Sequence, residues 1–189
     1  MTLKASIFLV LSSLFTISLM ANEYKHHDHH DHSRNLGAHE HGSISLLIAV
    51  EENKIDIILE GPLESFTGVE SSTTIKGKQK VEDLKKNWSK LVDKIIEIPK
   101  QLKCKIIEGK KTKVSIMENH HDGEAHDNIS FEALKSCEKS PEKVTIQSHI
   151  FKQFKNVHKI KADILPKELP PFTKTYKRED KKLSFDLSI

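Results

Sequence analysis

Ten of the twelve histidines fall in two short polar stretches, seven between residues 26 and 41 and three in ENHHDGEAHD at residues 118–127. Imidazole at that density, interleaved with carboxylate, is transition-metal chemistry. Ring nitrogens suit zinc, copper and nickel, and Asp and Glu add oxygen donors that zinc also accepts. Calcium and magnesium want shells of oxygen and fit poorly.

His39 and His41 stand two residues apart. In a strand both side chains would leave from one face and approach one ion together, while Glu40 would face the other way. Tetrahedral zinc takes four donors, or three and a water, so this pair predicts further ligands from elsewhere, with His120, His121 and His126 as the candidates. The plain alternative is a pair of exposed polar residues at the start of a strand. His26, His27, His29, His30 and His32 form a separate tract, broken by Asp28 and Asp31 where a purification tag would be continuous. It reads as an arm that binds several ions weakly and raises the local metal concentration near a tighter site. Protons compete for the same nitrogens, so its affinity must fall as the pH drops through about 6.5. His149 and His158 each lie alone in a strand-like run and read as structural, unless the fold carries one of them to His39 and His41.

The elements that must position these residues are legible in the periodicity. Residues 1–21 carry Lys4, an apolar stretch from Ala5 to Leu19 and a cut site after Ala21, the pattern of a secretory signal peptide. Serines and a threonine interrupt that stretch, and it falls short of the roughly 20 residues a span requires. Residues 22–38 are nearly devoid of apolar side chains and predict a mobile arm. A single domain over 39–189 should follow, with a His-rich loop at 118–128. Ile44, Leu46, Ile48 and Val50 alternate, as do Ile55, Ile57 and Leu59, which predicts a hairpin that Gly61-Pro62 ends. From Gly77 to Ile98 the period changes: Val81, Leu84, Trp88, Leu91, Val92 and Ile95 form a helical stripe, with Trp88 as a core anchor and Pro99 as the limit. A second hairpin is expected from Leu102–Ile106 to Val114–Ile116. Ile129 to Cys137 and Val144–Ile146 should extend the sheet, Phe151 and Phe154 should lie in a helical turn, and strands should follow at Val157–Ile164 and at the C-terminal Leu183–Ile189. The sum is an α+β domain, a mainly antiparallel sheet with one long helix packed on it.

Two cysteines, Cys104 and Cys137, in an exported chain read as a disulfide. The rival, a pair of metal thiolates, lacks the close C-x-x-C spacing of such sites. Without residues 1–21 the formal charge falls from +3 to +2, since Lys4 is the only charge lost, and the lysines are scattered among glutamates. Nothing resembles a nucleic-acid footprint. There is no HExxH, GxSxG or Walker loop, so no enzymatic motif stands behind the histidines.

Residues 38–70, AHEHGSISLLIAVEENKIDIILEGPLESFTGVE, combine a His-x-His-Gly segment, an alternating hairpin and a Pro-containing stretch that ends in Gly68-Val69-Glu70. A helix follows, then two separated cysteines flanking a His-rich insert, and Phe151-x-x-Phe154. In this set the chain resembles the ZrgA-type periplasmic zinc-binding proteins over most of its length beyond the signal. The resemblance implies a soluble periplasmic protein that binds Zn²⁺ and works with an ABC-type importer of the inner membrane. Carried over by position, it implies ligand roles for His39 and His41, and for His120, His121 and His126 of the insert. The insert is shorter and poorer in histidine than the family's tracts, and Ser136 stands where the family often has histidine before the second cysteine. Alternatives to uptake are a periplasmic buffer for zinc, nickel or copper, or a non-catalytic module whose histidines respond to pH.

Overall fold

The computed structural model describes residues 40–109, 112–117, 120–121, 124–141, 143–180 and 182–187, with backbone alone at 120–121 and 124–125. The expected signal peptide, the histidine arm and His39 lie outside the described residues.

Alternation builds the central sheet. Strand β1 (Ser43–Glu51) turns at Glu52-Asn53 into β2 (Lys54–Pro62), and the apolar residues read from the sequence are the ones buried. Pro62 ends the ladder, and the chain enters a one-turn helix, α1 (Leu63–Thr67), that the sequence did not announce. Gly68 stops α1 in the left-handed conformation, at φ 73°, where its N–H reaches the carbonyl of Glu64. The long helix α2 (Ile75–Ile95) follows, with Thr74 capping it by accepting from the N–H of Gly77. It begins before and ends before the predicted limits, because Ile96–Glu97 leaves as a short strand, β3. The buried stripe of α2 is the expected one. Trp88 is 2% exposed, packs against Phe131 with ring centroids 4.8 Å apart and planes tilted by 42°, and donates its indole N–H to the carbonyl of Glu132 at 2.7 Å. Lys135, itself buried, reaches from the sheet to Asp93 and ties the helix down a second time.

A 3₁₀ turn (Lys100–Leu102) leads to β4 (Lys105–Ile106) and β5 (Lys113–Met117). These two do not pair with each other as predicted. Both lie antiparallel on β8 (Asn128–Ser136), end to end along one edge. The turn at Glu108-Gly109 is therefore an excursion within an edge strand. Ile107 donates its N–H to the carbonyl of Leu134, and Thr112 donates its hydroxyl to the carbonyl of Ile107, so the chain comes back in line with no reversal. Between β5 and β8 stands a small hairpin of β6 (His120–His121) and β7 (Glu124–Ala125).

The remaining strands are β9 (Thr145–Ser148), β10 (Lys159–Leu165), β11 (Phe172–Lys177) and β12 (Ser184–Asp186), with α3 (Ile150–Gln153) before β10. The main sheet runs β11-β10-β1-β2-β8, with β4 and β5 on the far side of β8. Its pairs are antiparallel except β1 with β10, which is parallel. β9 does not extend this sheet, as the alternation had implied, but forms a second one in the order β12-β9-β3. β11 escaped the sequence reading because Tyr176 is its only buried residue, so it carries no period-two signal. That tyrosine joins the sheets, donating its hydroxyl to the carbonyl of Ser184 at 2.9 Å and meeting the ring of Phe185. The fold is α+β with mostly antiparallel sheets and one long helix, as predicted.

Cys104 and Cys137 form a disulfide. It pins the start of the edge strand to the end of β8 and closes a loop of sequence separation 33 that contains the histidine insert. On the chain-entropy model such a loop adds about 3–4 kcal/mol. Replacing both cysteines by serine should lower unfolding stability by roughly that amount in urea or guanidinium titration.

Candidate metal centre

One end of the main sheet collects the chemistry. His41 does not lie in a strand. It occupies a turn closed by the N–H of Ser43 on the carbonyl of Glu40, and β1 begins only at Ser43. The period-two argument for His39 and His41 therefore fails at His41, and a built turn aims its ring instead. Gly42 makes that turn possible. It sits at φ 75°, and a Cβ there would come within 1.9 Å of the His158 ring and 2.6 Å of the Asn156 carbonyl. Its N–H donates to the hydroxyl of Ser65 in α1, at 3.1 Å. Its carbonyl accepts from the N–H groups of both His158 and Lys159. Glu40 and Lys159 pair at 2.7 Å, and that hydrogen bond holds the Glu40 carboxyl below the usual carboxylate range.

Against this turn α1 presents Glu64. Its carboxylate meets Nδ1 of His41, and that hydrogen bond, followed by the charge itself, raises the pKa of His41; the charge of Glu70 adds to the effect, and desolvation opposes it. His126 arrives from the other direction, with its ring centroid 5.9 Å from that of His41 in an edge-to-face arrangement. Two imidazoles on one tetrahedral ion, with Zn–N of about 2.0–2.1 Å, place their centroids roughly 5 Å apart. The two rings are thus near the spacing that a shared ion needs. Glu70 lies beside them, its carboxylate 4.0 Å from Nδ1 of His126, in ion-pair range and too long for a hydrogen bond.

His126 reaches this place because the β5–β8 ladder is interrupted. Met117 pairs with Asn128, and the ladder resumes in unchanged register at His120–Ala125 and His121–Glu124. In the gap Asp127 turns to other partners. Its N–H donates to the carbonyl of Glu70 and its carbonyl accepts from the N–H of Leu63. Its buried carboxylate takes the N–H and hydroxyl of Ser72, each at 2.6 Å. Asp127 thereby fastens both ends of the α1 segment to the root of the histidine hairpin.

Of the predicted donors, His41 and His126 come together at this point, and the backbone of His120 and His121 lies in the β6–β7 hairpin that precedes His126 in the chain. His39 and the tract from His26 to His32 are outside the described residues. His158 joins the turn through its backbone and its ring contact with Gly42, while His149 sits elsewhere, 2.9 Å from Glu97 of the second sheet. Among the described residues no group of three or more His, Cys, Asp or Glu side chains is arranged around one point. Sequence reasoning missed Glu64, whose helix is too short to leave a periodic trace, and Asp127. Glu70 closes the Gly68-Val69-Glu70 segment noted in the sequence, where nothing linked it to the histidines; the glycine caps α1 so that the acid comes back to them.

No helix among the described residues is long and apolar enough to cross a membrane. A family model described as ZrgA family zinc uptake protein matches residues 38–185. No curated protein matches the chain.

Gly42→Ala should cost about 1–3 kcal/mol in chemical unfolding, since a side chain there adopts an unfavourable φ and collides with backbone as well as ring. The His41–Glu64 pair has a defined pH sign. A raised folded pKa contributes stability that is fully present below the unfolded value of about 6.5 and is lost as pH rises through the folded value. Proton NMR of the His41 ring in the metal-free protein should show a midpoint above that of an unperturbed imidazole, and Glu64→Gln should lower it.

Proposed function

Because the chain belongs to the ZrgA family of zinc uptake proteins, we propose that it captures Zn²⁺ at the sheet end where His41 meets His126 and delivers it to an ABC-type importer of the inner membrane. Zinc is cargo here, and no bond of a substrate is broken. His39, two residues before His41, supplies a third nitrogen, and His120 and His121 of the hairpin supply others as the ion enters or leaves. The observation that carries the reading is the meeting of His41 and His126, distant in sequence, with Glu64 and Glu70 beside them.

The donor set fits zinc, a borderline cation served by neutral imidazole with carboxylate nearby. Access also suits delivery. The His41 side chain is 54% exposed, so an incoming ligand can reach the ion and imidazoles can leave one at a time.

On this reading residues 1–21 are a cleaved signal peptide, the mature chain works in the periplasm, residues 22–38 are the metal-collecting arm and 39–189 the binding domain. The tract from His26 to His32 also favours a second role, buffering of excess zinc, nickel or copper by many weak sites. Induction of the gene by zinc starvation supports uptake, and induction by metal excess supports buffering.

Isothermal titration of residues 22–189 should give a zinc site tighter than about 10 µM. His41→Ala and His126→Ala should each weaken it by more than the roughly 10–100-fold expected when an outer-shell partner is lost. Affinity should decline as the pH falls, because protons compete for the same nitrogens. A deletion of 22–38 should remove weak additional sites and leave the tight one. Unchanged affinity in both histidine variants would end the proposal.

A further inference from the structure

We propose that Glu64 is the positioning residue for His41: its carboxylate takes the Nδ1 proton, so the ring offers Nε2 to the metal, and Glu64 stays outside the coordination sphere. This rests on the reading of His41 as a zinc ligand and fixes which of its two nitrogens does the binding.

A neutral imidazole has one N–H and one lone pair, and the partner of one nitrogen decides the state of the other. An ionised carboxylate only accepts. Facing Nδ1, the carboxylate of Glu64 selects the tautomer with the proton on Nδ1 and the lone pair on Nε2. An imidazole held in this way loses less rotational freedom when it binds an ion and is a stronger base.

The support of Glu64 is what a positioning group requires. Its own carbonyl accepts from the N–H of Gly68 and from the side-chain amide of Asn156 at 3.1 Å. The neighbouring Leu63 donates its N–H to the Asp127 carbonyl, and Ser65 on the other side holds the N–H of Gly42. The segment that carries the carboxylate is therefore bonded on one side to the turn that carries His41 and on the other to the root of the hairpin that carries His126. Glu70 differs: at 4.0 Å from Nδ1 of His126 it lends charge without the hydrogen bond that selects a tautomer.

The test uses the metal-free protein first. Nitrogen-15 correlation spectra of the His41 ring, at a pH where it is neutral, should show the proton on Nδ1, and Glu64→Ala should let the two tautomers mix. Titration with Zn²⁺ should then show 10–100-fold weaker binding for Glu64→Ala, with a smaller loss for Glu64→Gln, which keeps an acceptor. Visible spectra of the Co²⁺-loaded protein should keep the same bands in Glu64→Gln as in the parent, because the donor set is unchanged. A proton found on Nε2 in the parent, or cobalt bands that shift in Glu64→Gln, would overturn the inference, the latter by making Glu64 a ligand. If His41→Ala leaves zinc affinity untouched, it is the reading of His41 that fails. Loss of affinity in His41→Ala with no change in Glu64→Ala sinks the role of Glu64 alone. Should Glu64→Ala not fold, Glu64→Gln and the parent spectra still decide.

Discussion

The end of the sheet where His41 meets His126 depends on one residue's backbone. Gly42 is bonded to α1 through its N–H and to the start of β10 through its carbonyl, so three segments distant in sequence are tied at a single residue. Each bond is an ordinary one, worth about 1 kcal/mol net. Their importance lies in placement: they set the direction of His41. The absence of a Cβ is what allows it, since the His158 ring and the Asn156 carbonyl already occupy that space. Within the His-x-His-Gly segment, the glycine is thus what aims the histidine before it.

The second arm of the site is built by a different device. β8 is held along its whole length by β2, nine consecutive pairs from Lys54–Ser136 to Pro62–Asn128. Beyond that ladder the strand is released at Asp127, whose backbone serves α1 and Glu70. The histidine hairpin resumes the register of the edge strand past this release. A rigid sheet therefore ends in a segment whose root is fixed, and His126 occupies that root beside Asp127. The disulfide belongs to the same logic at the other end of β8, where Cys137 is buried and anchored to the edge strand by Cys104.

Sequence periodicity disclosed most of the fold and part of the site, and the divide follows the physics. Buried strands and the long helix repeat their apolar residues, so β1, β2, β8, β10 and α2 were legible. β11 was not, because an edge strand with one buried residue has no reason to alternate. The relation of β4 to β5 was not, because a turn sequence does not say whether the chain reverses or only detours. Which sheet β9 joins depends on where α2 ends and β3 departs, a tertiary matter. At the site, residue type was enough to nominate His41 and His126. Their partners needed coordinates: a lone glutamate in a one-turn helix looks like any surface acid until Nδ1 of a histidine is found against it.

Exposure and rigidity are divided between side chain and backbone at this site, and the division bears on what the site is for. A structural zinc site closes its ligands inside the fold and gains folding energy from the ion. Here the apolar residues of the sheets and α2 are buried, and no buried side-chain nitrogen or oxygen among the described residues lacks a hydrogen-bond partner. The backbone that aims His41 is equally complete. What remains open to solvent is the ring itself, more than half exposed, beside a carboxylate a third exposed. None of the proposed ligands among the described residues packs in the core, so an ion held here would stabilise the fold only through its own binding free energy. On the proposed uptake reading that separation matters, since any ligand that also held the core together would make delivery a partial unfolding.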